Sequence, residues 1–170
     1  MISGMTTGAR GPLLITVASV AILSTVLASE HWGGLHPCDL CTKQRIPYLV
    51  VIVGGTVATV LTMIGWRGVA ALIITACGLA FLAGAGVGAY HVGIEQHWWE
   101  GSSACTGITT GAATNIEEMR DLVLAAPVVR CDDISWSMFG ISMAGYNVLA
   151  SMVLAVFSGL TARALSERTA

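Results

Sequence analysis

GVAALIITACGLAFLAGAGVGAY, residues 68–90, carries no charged side chain. A helix that crosses a bilayer needs roughly 20 mostly apolar residues, and this stretch supplies them. Three further uncharged runs flank it: Pro12 to Ser29, Ile46 to Trp66 and Ile134 to Ala162. The first of these is just within spanning range. In hydrocarbon the backbone N–H and C=O groups have no water to bond, so each run must be a helix or part of a closed barrel. Barrel strands alternate apolar and polar residues over about ten positions. These runs do not alternate, which predicts an all-α, polytopic four-helix bundle with spans at about 12–29, 46–65, 68–91 and 140–162.

Composition agrees. The 170 residues are 55% hydrophobic and 11% charged, where a soluble domain carries about a quarter charged residues. What lies outside the runs is too short for a second domain, so residues 1–170 are expected to form one membrane domain. No nucleic-acid partner is expected. The first run, with Arg10 ahead of it, has some features of a signal peptide. Its apolar core exceeds the roughly 7–15 residues typical of one, and it is read as a retained helix.

Gly65-Trp66-Arg67-Gly68 is a tight turn between the second and third spans. Both termini and this turn therefore share one side, and the loops 30–45 and 92–139 share the other. The second loop begins with His97-Trp98-Trp99, and Trp at a span end suggests an interfacial belt. Glu95 and His97 read as surface residues beside it. Further on, Thr114-Asn115-Ile116-Glu117 has the form of a capping box. Met119, Leu122 and Val123 follow at helical spacing and Pro127 stops the pattern. A short amphipathic helix is expected there, lying on the membrane surface or packed on its own loop.

Lysine and arginine do not fix the orientation. Arg10, Arg67, Arg163 and Arg168 balance Lys43, Arg45, Arg120 and Arg130, so the positive-inside rule is silent. The cysteines are more informative. Cys77 falls mid-span and reads as a small packing residue, whereas Cys38, Cys41, Cys105 and Cys131 all fall in the two loops of one side. An even number in one compartment points to disulfides and an oxidising environment. The loops are placed outside the cytoplasm and the termini inside.

Cys38-Asp39-Leu40-Cys41 is a CxxC. Haem attachment would need a His next, and Thr42 stands there. Zinc would need four ligands, but Cys105 and Cys131 are 26 positions apart and form no second CxxC. No metal is expected. A purely structural pair of disulfides is an alternative, weakened by the strained, labile ring a CxxC closes. Cys41 precedes the second span closely, where the positive end of a helix favours a thiolate. Arg45, four residues on, shares its face if the helix starts near Asp39; otherwise it is an interfacial anchor. Pro47 would then fall inside the helix and kink it. A thiol pair at the bilayer rim is within reach of lipid-soluble quinones, and two pairs in two loops can pass a disulfide between them.

Pro37-Cys38-Asp39-Leu40-Cys41 followed by Gln44-Arg45 resembles the signature of the bacterial disulfide bond formation protein B (DsbB) family. Four spans, a second cysteine pair in the long loop and His91 at the end of the third span are similar too. The resemblance implies a dithiol:quinone oxidoreductase of the bacterial inner membrane, using ubiquinone or menaquinone. It implies that Cys41 faces the quinone as a thiolate, with Arg45 helping to hold the quinone. Cys38 would form a transient inter-loop disulfide with Cys131, and Cys105 a mixed disulfide with a DsbA-like periplasmic thioredoxin-fold protein. His91 reads as a quinone ligand or an interfacial group. A carrier of reductant in the opposite direction would need two cysteines within the spans, and only Cys77 is there.

Overall fold

A computed structural model of the protein describes residues 2–102, 105, 115–117, 120 and 130–167, with side chains from Gly8 onward. Four long helices dominate these residues: α1 (Ile2–His31), α2 (Asp39–Met63), α3 (Arg67–Glu95) and α4 (Met143–Glu167). All four are long and apolar enough to cross a membrane. Their surfaces are inverted relative to a soluble bundle. Val53, Leu72, Leu79, Val153 and Leu160 are each more than half exposed, while Ser19, Thr62, Ser151 and Ser158 are fully buried. The buried hydroxyls of Ser19, Thr62 and Ser158 donate to backbone carbonyls one turn earlier. An apolar exterior around small, internally satisfied polar residues is what a bilayer selects.

The helices run further than the apolar stretches, because backbone bonding continues through a polar turn once it is capped. α2 starts at Asp39 rather than near 46, α3 continues to Glu95, and α1 extends back through Pro12. The fourth helix starts later than residue 140. Ser137–Met138 and Ile141–Ser142 pair as a two-residue antiparallel hairpin, β1 and β2, and its turn places Phe139 and Gly140 at φ 53° and 77°. The expected surface helix after Asn115 falls mostly outside the described residues.

Packing is uneven. α3 lies closest against α4 and also contacts α2, α1 leans on α2, and α1 and α4 touch only lightly. Missing side chains set the close approach. A Cβ on Gly88 would stand 2.8 Å from Val148 Cγ2, and one on Gly84 would stand 3.0 Å from Pro47 Cγ. α2 thus carries Pro47 inside it, with the ring set against the glycine face of α3. Ile15, Val51, Ile74, Phe81 and Leu165 fill the centre, with Cys77 buried among them.

Candidate thiol site at the loop end of the bundle

The CxxC opens α2. Cys38 is the N-cap residue, with extended backbone, and its sulfur accepts the Cys41 backbone N–H at 3.3 Å. The sulfur takes the role that a Ser or Asp oxygen plays at most helix starts. Asp39 follows in the first turn, where the helix dipole favours an anion, and pairs with Lys43 at 2.7 Å. This cap brings the two thiols together: Cys38 Sγ donates to Cys41 Sγ at 3.0 Å. Because Cys38 holds the shared proton, and is buried as well, its thiol is pushed up to about 12.

The second pair lies on the first. Cys105 and Cys131 are buried with Cys38, Leu40 and Ile94 in one cluster. The Cys131 backbone N–H donates to the Cys105 carbonyl at 3.0 Å. The Cys131 thiol is raised, first by burial and then by its contact with the Cys105 sulfur, with Cys38 adding to this. All five cysteines are unbridged. The four loop cysteines, spread over 94 positions of sequence, therefore meet at one place.

A cavity of about 410 Å³ adjoins the pair. Cys38 and Cys41 reach its wall, together with Arg45, Tyr48 and His91, and α1 and α4 supply apolar sides through Ile22, Val26 and Ala150. Arg45 meets Glu30, at the end of α1, at 2.8 Å. Its Nε is buried with no hydrogen-bond partner among the described residues.

His91 is not at the surface. It is 3% exposed, beneath the extra turn by which α3 outruns its apolar stretch, and its Nε2 is 3.6 Å from Cys38 Sγ. Glu95 is also buried rather than a surface group. It lies 3.9 Å from His91 Nε2 and accepts the Ser142 hydroxyl. His97, Trp98 and Trp99 do lie at the surface, with Trp99 stacked on Tyr90. The sequence reading missed a set of polar residues behind the histidine. Gln44 Nε2 donates to His91 Nδ1 at 2.8 Å, Asn147 Nδ2 donates to Gln44 Oε1 at 2.7 Å, and Tyr48 donates to Asn147 Oδ1 at 2.7 Å. Polar side chains at one level of otherwise apolar runs, Tyr48, Asn147 and Ser151, were the available signal.

Cys38, Cys41 and His91 offer three ligand atoms within 4.8 Å of one another. Counting cysteines alone had left His91 out of that set. The sulfur separation of 3.0 Å is nonetheless shorter than the ~3.8 Å that two 2.3 Å zinc–sulfur bonds at a tetrahedral angle impose. The spacing suits two thiols exchanging a proton or closing a disulfide.

A multi-pass membrane protein with a CxxC at a helix start and a second cysteine pair packed on it falls in the class of membrane disulfide oxidoreductases. The family profile described as disulfide bond formation protein DsbB matches residues 9–161. The chain is 29% identical over 150 residues to disulfide bond formation protein B of a Polaromonas species, covering 84% of this chain and 83% of that one. It is 29% identical over 150 residues to disulfide bond formation protein B 2 of Pseudomonas putida, with 82% of each covered. An uncharacterized Rickettsia prowazekii protein is 28% identical over 149 residues, 87% and 83% covered. No solved structure matches. This chain belongs to the DsbB family of disulfide bond formation proteins.

Proposed function

We propose that the protein is a dithiol:quinone oxidoreductase of the bacterial inner membrane that reoxidises a DsbA-like periplasmic thioredoxin-fold protein. The observation that carries this reading is the cavity: an apolar chamber at the membrane edge whose wall contains both CxxC thiols. Its residues fit a quinone. The walls are mostly apolar, and the buried Arg45 Nε–H, without a partner among the described residues, is a donor suited to a carbonyl oxygen. Arg45, Cys41 and His91 would surround such a ring, and ubiquinone and menaquinone both match this chemistry. When bound, the quinone supplies an acceptor for two electrons and two protons.

The cysteines carry the other half. The partner's thiolate attacks Cys105 of a Cys105–Cys131 disulfide, and the electron pair leaves on Cys131. Cys131 lies against Cys38 and attacks it in a Cys38–Cys41 disulfide, which expels Cys41 as a thiolate at the first turn of α2. There the positive end of the helix stabilises it beside the cavity. The partner's second thiol then attacks the partner's own sulfur in the mixed disulfide, which releases an oxidised partner and frees Cys105. Cys105 attacks Cys131 and frees Cys38, and closing the Cys38–Cys41 bond gives up the electron pair at the cavity. In this reading the loops 30–45 and 92–139 are periplasmic and both termini cytoplasmic. The burial of Cys105 requires the second loop to lift for the partner.

The test is anaerobic oxidation of a reduced thioredoxin-fold protein by the purified chain, with ubiquinone or menaquinone as sole oxidant. One quinol is expected per disulfide, with loss of turnover in Cys41→Ser. Oxidation that proceeds equally without quinone would sink the proposal. A protein with purely structural disulfides would instead keep its properties in Cys41→Ser apart from stability.

A further inference from the structure

The polar residues behind His91 form a chain with a direction. Tyr48 has one proton and gives it to Asn147 Oδ1, so the Ser151 hydroxyl, 3.1 Å away, donates to the Tyr48 oxygen. Asn147 passes a donor to Gln44, and Gln44 passes one to His91 Nδ1. Each member donates to the next. The last acceptor is an imidazole nitrogen, which must therefore be bare.

Hydrogen bonding inside the chain would be equally satisfied in reverse, with both amides flipped and both hydroxyls turned. The far side of the ring breaks that symmetry. Ser142 Oγ accepts the Gly145 backbone N–H at 3.2 Å and gives its own proton to Glu95 Oε2. Glu95 is thus held as an acceptor, and its other oxygen stands 3.9 Å from His91 Nε2, with the Cys38 sulfur at 3.6 Å. A lone pair on Nε2 would face the lone pairs of both. A proton there faces two acceptors. Glu95 is only 8% exposed and Gln44 7%, so bulk water has little access to these bonds.

We infer that Ser151, Tyr48, Asn147 and Gln44 hold His91 as the neutral Nε2–H tautomer and aim that proton at Cys38, making Gln44 and Asn147 positioning residues for the thiol pair. A histidine with Nδ1 tied to Gln44 is turned toward sulfur and leaves the bound acceptor to Arg45. The consequence for chemistry rests on the exchange sequence proposed above. When Cys105 attacks Cys131 of the inter-loop disulfide, the Cys131–Cys38 bond breaks and the electron pair leaves on Cys38 Sγ. His91 Nε2–H donates a hydrogen bond to that developing thiolate, while the proton stays on nitrogen. A better stabilised leaving thiolate departs faster.

The test is the ¹⁵N spectrum of imidazole-labelled histidines in the reduced, quinone-free full chain at neutral pH, with the His91 signals assigned by their loss in His91→Ala. Nδ1 is expected at the unprotonated position and Nε2 at the protonated one. Asn147→Asp accepts from both Tyr48 and Gln44, which turns the Gln44 amide and moves the proton to Nδ1, although Asn147 never touches the ring. Gln44→Glu, which can only accept, moves the proton to Nδ1 directly and serves if Asn147→Asp does not fold. Protonated Nδ1 in the unaltered chain overturns the inference, as does a folded variant that leaves Nδ1 bare. Neither quinone nor partner is present in this measurement, so its failure is separate from a failure of the oxidase reading.

Discussion

Replacing Cys41 by Ala should make Cys38 more reactive, although the variant has lost a thiol. Cys38 stands near 12 against a usual 9.0 chiefly because it keeps its proton for the Cys41 sulfur 3.0 Å away, and secondarily because it is buried. Cys41→Ala removes the first cause and leaves the second. Full return to the usual value would raise the thiolate fraction at neutral pH about a thousandfold. Thiolate nucleophilicity falls with basicity by a Brønsted slope of about 0.4–0.5, which takes back a factor of roughly 25 and leaves a ceiling of about fortyfold. Burial persists, so the expected gain is about tenfold. The assay is alkylation by a small neutral reagent across pH, with singly labelled Cys38 located by peptide mass spectrometry and Cys77, Cys105 and Cys131 replaced by Ala. The sign follows from the raised value: in the unaltered CxxC the Cys38 rate stays low until strongly alkaline pH, and in Cys41→Ala its midpoint moves down. Space opened by the missing sulfur would lift the plateau without moving the midpoint. An unmoved midpoint would refute the shared-proton account.

Other outcomes follow from the packing. Gly88→Ala pushes a methyl at Val148 and at Asn147 Nδ2, 3.2 Å from that position. A loss of about 1–2 kcal/mol is expected on denaturation in detergent, and unchanged stability would mean α3 and α4 can separate freely. Glu30→Gln leaves the half-buried Arg45 guanidinium without its anion, at a cost of about 1 kcal/mol measured the same way. Cys105, buried at the first pair, should react with a bulky maleimide at least about tenfold more slowly than Cys41 in the resting chain; equal rates would mean the second loop stands open.

The spans were legible because uncharged length is a direct consequence of bilayer thickness, and Gly65 at φ 94° marks the turn the sequence placed there. Helix ends were not. α2 reaches Asp39 because a cysteine sulfur caps it, and sulfur capping has no signature in a hydropathy pattern. The CxxC and the second pair could be singled out by residue type and side of the membrane. Which polar residues join them could not, since Gln44, His91, Glu95 and Asn147 come from three helices and meet only when those helices pack. Glu95 was misread for the same reason: beside two tryptophans a carboxylate suggests solvent, but the added turn of α3 draws it inward to Ser142.

The light contact between α1 and α4 has a consequence for measurement. The cavity they flank has aliphatic walls made by helices whose outer faces meet lipid tails. A ligand that enters there comes sideways from a two-dimensional phase, and its aqueous solubility does not govern occupancy. Affinity is then a mole fraction in lipid or detergent, and diluting the micelles at a fixed ratio of ligand to detergent should leave occupancy unchanged. Adding empty micelles at fixed ligand should strip the site, even though nothing competes for it.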